Sequence, residues 1–179
     1  CSGKALSNGT VPLGAVMARE DMADAFLGNP SAGLNFAHGH TFAGSPLGCA
    51  AGLAVIDEIV EKGLTNRARE MGDYLAQKLE TLKTTGVVRE VRGKGLIRGV
   101  ELVKDTDGRE PFPELGTAMK TTALENGLIM RIDPSWFAVA PALVITKAQV
   151  DELYELVERS LLAALDRVDP ERVHGSAGN

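Results

Sequence analysis

Ala68, Met71, Leu75, Leu79 and Leu82 recur at helical spacing between Thr65 and Thr84, and this stripe constrains the fold more than any other feature of the chain. A helix with one apolar face holds its shape only when that face is buried against a second layer. The sequence supplies the layer immediately downstream. Val87–Val91 and Leu96–Val103 read as short strands, separated by the turn-forming run Arg92-Gly93-Lys94-Gly95. Asp105-Thr106-Asp107-Gly108 is a second turn, and Leu115–Glu125 a helix stopped by Asn126-Gly127. Leu128–Ile132 and Trp136–Ala140 are further strand candidates, and Thr146 is placed to cap a last helix running to about Arg167. These patterns predict a compact α+β unit over residues 63–168, followed by a flexible Pro/Gly/Ser-containing tail at 169–179.

Residues 1–62 have a different texture. Val11–Ala18 has the length and flanks of a buried strand, Arg19–Leu27 those of a short helix stopped at Gly28-Asn29-Pro30, and residues 31–45 those of a loop. Pro46 opens a helix to about Lys62 whose Gly/Ala-rich first half suits close packing against another element. This stretch is too small to be a complete layered domain. With a start at Cys-Ser-Gly-Lys and no Met, it is expected to be the end of a larger α/β domain whose beginning lies upstream.

Composition excludes several classes of function. Nineteen basic against 24 acidic residues give a net charge of -5, and no dense Lys/Arg run marks a nucleic-acid footprint. No apolar run approaches the roughly 20 residues of a membrane span, and no charged-then-apolar leader opens the chain. Cys1 and Cys49 are too few for a disulfide framework, so a cytoplasmic location is expected.

Four segments carry residues suited to chemistry. Lys4 stands before a Ser/Asn/Gly loop, where a lysine can reach a bound aldehyde and form a Schiff base; read alone, it is an ordinary surface lysine. His38 and His40 form a His-x-His pair, but without a third ligand nearby they make a poor metal site, and none is expected. In Arg92-Gly93-Lys94-Gly95-Leu96 the glycines suit a tight turn and Arg92 a structural ion pair; that reading is favoured over an active-site role. Arg131, after Gly127-Leu128-Ile129-Met130, reads alone as an ordinary surface arginine.

Taken in order, these segments resemble one family. Gly3-Lys4-Ala5-Leu6-Ser7-Asn8-Gly9 with Val11-Pro12-Leu13-Gly14-Ala15-Val16 is similar to the cofactor-lysine segment of class III, or omega-type, pyridoxal-phosphate-dependent aminotransferases. His38-Gly39-His40-Thr41-Phe42-Ala43-Gly44-Ser45-Pro46 resembles the family's segment before an Ala-rich helix, and Gly127–Arg131 with Pro141–Thr146 its small-domain segment. The resemblance implies the C-terminal part of a fold-type I transferase, namely the end of the large domain followed by the α+β small domain. It assigns the Schiff base and the proton shuttle to Lys4. Thr41 is assigned to the cofactor phosphate across a homodimer interface, with His40 beside it where an aromatic is usual. Arg131 is assigned to a substrate carboxylate.

The sequence also departs from the family's pattern. Ala5 and Thr10 replace a usual glycine and a common aromatic, and Ala142 replaces a second proline. Phe137–Pro141 contains no arginine, which counts against the ornithine branch. The implied reaction moves an amino group from an amine or omega-amino acid to a 2-oxo acid, pyruvate or 2-oxoglutarate, on pyridoxal 5'-phosphate. An aminomutase or lyase of the same family is the alternative outcome. Because the family's acidic partner for the pyridine nitrogen lies upstream of the lysine, this chain alone is expected to be inactive. An inactive fragment or dimerisation module is the non-enzyme alternative.

Overall fold

The computed structural model describes residues 2–174. The chain divides into two compact units, Cys1–Gly63 and Leu64–Asn179.

The second unit is two-layered. Its sheet has four strands, β1 (Val88–Lys94), β2 (Ile97–Leu102), β3 (Arg131–Asp133) and β4 (Trp136–Val139), in the order β1-β2-β4-β3. All neighbouring strands are antiparallel. Helices α3 (Leu64–Glu80) and α4 (Pro113–Glu125) pack on the sheet, and α5 (Lys147–Val168) packs on both of them. The apolar stripe does what its spacing requires: Leu75, Leu79 and Leu82 are buried with Val88, Val100, Leu102, Ile132, Phe137 and Val139 in one core. Thr146 caps α5 through a reciprocal box, with Gln149 N–H donating to Thr146 Oγ1 at 3.2 Å and Thr146 N–H to Gln149 Oε1 at 2.9 Å.

The Arg92-Gly93-Lys94-Gly95 run is structural in effect. β1 continues through Lys94, which pairs with Ile97, so only Gly95 and Leu96 form the turn. Gly95 has φ 56°, the positive φ that a two-residue hairpin turn takes at its first position. Its carbonyl lies against Gly72 of α3, where any Cβ would overlap it. Both glycines are therefore required for the helix to lie on the hairpin.

The strand expected at Leu128–Ile132 begins three residues later, at Arg131. Gly127, with φ 76°, ends α4 in a Schellman arrangement, with Gly127 N–H donating to Leu124 O at 3.0 Å and Leu128 N–H to Ala123 O at 2.8 Å. Leu128 thus spends its donor on the helix end and cannot enter the ladder. Pro170–His174 is a short helix, α6, in the stretch expected to be a tail; residues 175–179 lie outside the described residues.

In the first unit, α1 (Glu20–Asp24) is shorter than the helix expected over Arg19–Leu27. Helix α2 (Pro46–Glu61) matches its expected position, and its small residues have the expected use. A Cβ on Gly52 would lie 2.7 Å from Leu13 Cδ2, and one on Gly48 3.4 Å from Pro12 O. The strand expected at Val11–Ala18 is not formed. Ala15 makes a single antiparallel bridge with Ser2, while Val16 and Met17 are 76% and 80% exposed. A ladder needs a continuous neighbour, and Pro12 has no N–H to offer one.

Candidate functional site

Lys4 opens a one-turn 3₁₀ segment, Lys4–Ser7, and has φ 50°. For a non-glycine residue this left-handed conformation costs about 1–2 kcal/mol, and such residues concentrate at functional positions. The surroundings hold it there. On one side, Ser2 N–H donates to Ala15 O at 2.7 Å and Ala15 N–H to Ser2 O at 2.9 Å. On the other, the buried Ser7 donates through Oγ to Val11 O at 2.6 Å, and Thr10 Oγ1 donates to Ser7 O at 2.7 Å. The loop is pinned at both ends, leaving Lys4 exposed between them.

Thr41 lies in the turn that feeds α2. Ala43 N–H donates to His40 O at 3.0 Å, and Ser45 N–H to Phe42 O at 3.1 Å. The His40 ring meets His38 edge-on at 4.9 Å, His38 meets Phe36 at 5.7 Å, and Phe36 meets Phe26 at 5.5 Å. This ladder runs along the segment that leads into Thr41. Its sequence signal was the alternation of Phe36, His38 and His40 along an extended segment. The two imidazoles are thus explained as ring contacts. Among the described residues, the Lys4 amine and the Thr41 hydroxyl are engaged by no other side chain.

Arg131 belongs to the other unit and stands on an edge strand. Ile132 turns into the core, so Arg131 and Asp133 share the opposite face. Arg131 Nε donates to Asp133 Oδ2 at 2.9 Å, and the guanidinium lies 5.1 Å from the centre of the Trp136 ring. The hydrogen bond that Arg131 donates to Asp133, together with the carboxylate's charge, raises the guanidinium pKa further above its ordinary value.

Strand register places Arg92, Gly99, Ala138 and Arg131 in one row across this face, and Glu101, Trp136 and Asp133 in the next. Arg92 lies over Gly99 and pairs with Glu90 at 3.4 Å, the ion pair expected of it. Asp133 and Trp136 carried no sequence signal as site residues. They matter only because Arg131 lies against them.

Known proteins share both the sequence and the fold. The profile described as "Aminotransferase class-III" matches residues 1–161. The chain belongs to the class III aminotransferases. It is 33% identical over 165 residues to an omega-aminotransferase of Caulobacter vibrioides, covering 90% of this chain and 36% of that protein. It is 35% identical over 158 residues to an ornithine aminotransferase of Staphylococcus carnosus, covering 88% and 35%. A thermostable (S)-enantioselective omega-transaminase from Thermomicrobium roseum superposes with a TM-score of 0.83 at 36% identity, over 92% of this chain and 37% of that one. The PMP-bound form of an aminotransferase from Vibrio fluvialis does so with a TM-score of 0.82 at 28% identity, over 93% and 37%. The class III chain described here therefore spans a little over a third of the length of these relatives. No helix among its described residues is long and apolar enough to cross a membrane.

Proposed function

We propose that the protein is a pyridoxal-phosphate-dependent aminotransferase that moves an amino group from an amine or omega-amino acid to a 2-oxo acid such as pyruvate or 2-oxoglutarate. The observation that carries this reading is Lys4, a non-glycine residue held at φ 50° in a doubly pinned loop with its amine left free. The residues present fit the cofactor. Lys4 is the amine that would hold it covalently, and Thr41 a free hydroxyl for its phosphate. His40 is a polar ring held beside Thr41 by the aromatic ladder.

When bound, the cofactor supplies an electron sink for the bond to the amine-bearing carbon. Lys4 Nζ would be the base that takes the proton from that carbon and delivers it onward within the same half-reaction, as a 1,3-proton shift. Arg131 orients a substrate carboxylate through its guanidinium fork. The aminotransferase names of the relatives support transfer over an aminomutase or lyase outcome.

The first unit, in this reading, is the end of the large cofactor domain and the second the small domain. The working enzyme is a cytoplasmic homodimer acting on small molecules, without nucleic acid or membrane partners. The test is trapping: incubate the chain with pyridoxal phosphate, reduce with borohydride, digest, and locate the added mass. Attachment at Lys4, lost in Lys4→Ala, is the expected result. Attachment spread over other lysines, or none, would overturn the assignment and favour an inactive fragment.

A further inference from the structure

We infer that Asp133 is a specificity-determining residue: its carboxylate occupies Arg131 and competes with any substrate carboxylate for the guanidinium. The inference rests on the reading of Arg131 as the residue that meets that carboxylate.

The sheet geometry makes the competition specific to one pair. Among the described residues no strand pairs with the outer side of β3, so Arg131 has room to leave its own strand. The other carboxylates on this part of the sheet are already taken, Glu101 by Arg89 at 3.2 Å and Glu90 by Arg92 at 3.4 Å. Asp133 sits two residues from Arg131 on the same strand face, and its Oδ2 takes the Nε edge at 2.9 Å. Trp136, the register partner of Asp133 on β4, offers its ring to the same guanidinium at 5.1 Å. The cation is therefore held from two sides and carries a neutralising charge before any ligand arrives.

Two consequences follow from charge alone. A donor whose carboxylate takes the Nε edge must displace Asp133 from it, and its apparent affinity falls by the fraction of arginine left free. A donor without one, such as a simple amine, leaves the pair intact and loses nothing. Asp133 thus shifts preference toward amine donors that lack a carboxylate. The pair is well exposed, with Arg131 side-chain exposure at 71%, so its own strength is small. The expected penalty on carboxylate binding is up to about fivefold.

The sole tryptophan of the chain makes this measurable without turnover or cofactor. Sodium propionate is titrated into the ¹⁵N-labelled chain at constant ionic strength, with propylammonium chloride as the control, following the Trp136 indole N–H and the Arg131 Nε–H resonances. Propionate should move both signals in the native chain. In Asp133→Asn the initial slope should steepen by up to about fivefold, and in Arg131→Gln the response should vanish. Propylammonium should move neither signal beyond the salt control. Should Asp133→Asn disturb the backbone amides of Ile132 or Phe137, Asp133→Ser replaces it.

An unchanged or shallower slope on removing the Asp133 carboxylate would overturn the inference, as would a propionate response that survives Arg131→Gln. Failure of the Lys4 trapping experiment would remove the aminotransferase reading while leaving this titration interpretable. The two are therefore refuted separately.

Discussion

Substituting Lys4 by glycine and by alanine separates its backbone cost from its chemistry. Both variants lose the amine and should lose borohydride-trapped cofactor equally. Their stabilities should differ. At φ 50°, alanine keeps the left-handed penalty of about 1–2 kcal/mol that any L side chain carries. Glycine escapes it but surrenders about 0.5–1 kcal/mol through its freer unfolded state. Lys4→Gly should therefore hold the loop more tightly than Lys4→Ala by about 0.5–1 kcal/mol, or about two- to fivefold in the local opening constant. Amide hydrogen exchange reads this directly at Ala15 N–H, which donates to Ser2 O, and at Leu6 N–H, which donates to Gly3 O at 3.1 Å. The expected result is slower exchange at both sites in the glycine variant. Exchange faster in the glycine variant by about two- to fivefold would mean that the backbone at Lys4 carries no strain, and the structural argument for its role would fail.

Gly72→Ala should destabilise the second unit by about 2 kcal/mol or more in urea unfolding, because the added methyl meets the backbone carbonyl of Gly95 and not a movable side chain. Thr146→Ala removes one half of the α5 capping box and should cost about 1 kcal/mol, read as a lower urea midpoint with an unchanged slope. Asp151 accepts from Tyr74 at 2.5 Å and pairs with Lys78 at 2.7 Å; these contacts, the lysine hydrogen bond foremost, hold its carboxyl below the ordinary range. A depressed carboxyl contributes stability above its unfolded pKa and loses it as pH falls through the lower folded value, so any stability advantage over Asp151→Asn at neutral pH should close below about pH 4.

The elements legible in the sequence are those set by local rules. The Leu75–Leu79–Leu82 stripe, the Thr146 cap and the glycine signal after α4 each act within a few residues of themselves, and each stands where its spacing put it. The expected strand at Val11–Ala18 failed because pairing is decided by a neighbour, and Ser2 provides only one bridge. Leu128 failed as a strand start for a related reason, since its N–H was taken by the helix before it.

The candidate site divides along the same line. Lys4, His40 and Thr41 could be proposed from the sequence because each sits inside a contiguous motif. The ring ladder from Phe26 to His40 was not, because its first contact joins residues separated by a loop.

Arg131 shows how the sheet order itself prepares a chemical surface. Ile132, Phe137 and Val100 are register neighbours on one face, all buried with the helices. That period of two obliges the intervening residues to face the other way. There the row Arg92–Gly99–Ala138–Arg131 puts two small residues between two arginines, so no bulky side chain on β2 or β4 separates them in that row. The next row supplies Glu101, Trp136 and Asp133, with Arg89 pairing to Glu101. Moving β3 by one residue against β4 would bury Arg131 and expose Ile132, at the cost of an unpaired buried cation. The core therefore enforces the register that presents Arg131, and Asp133, two residues along the same strand, is presented with it. The arginine that could bind a carboxylate thus comes already facing one of its own.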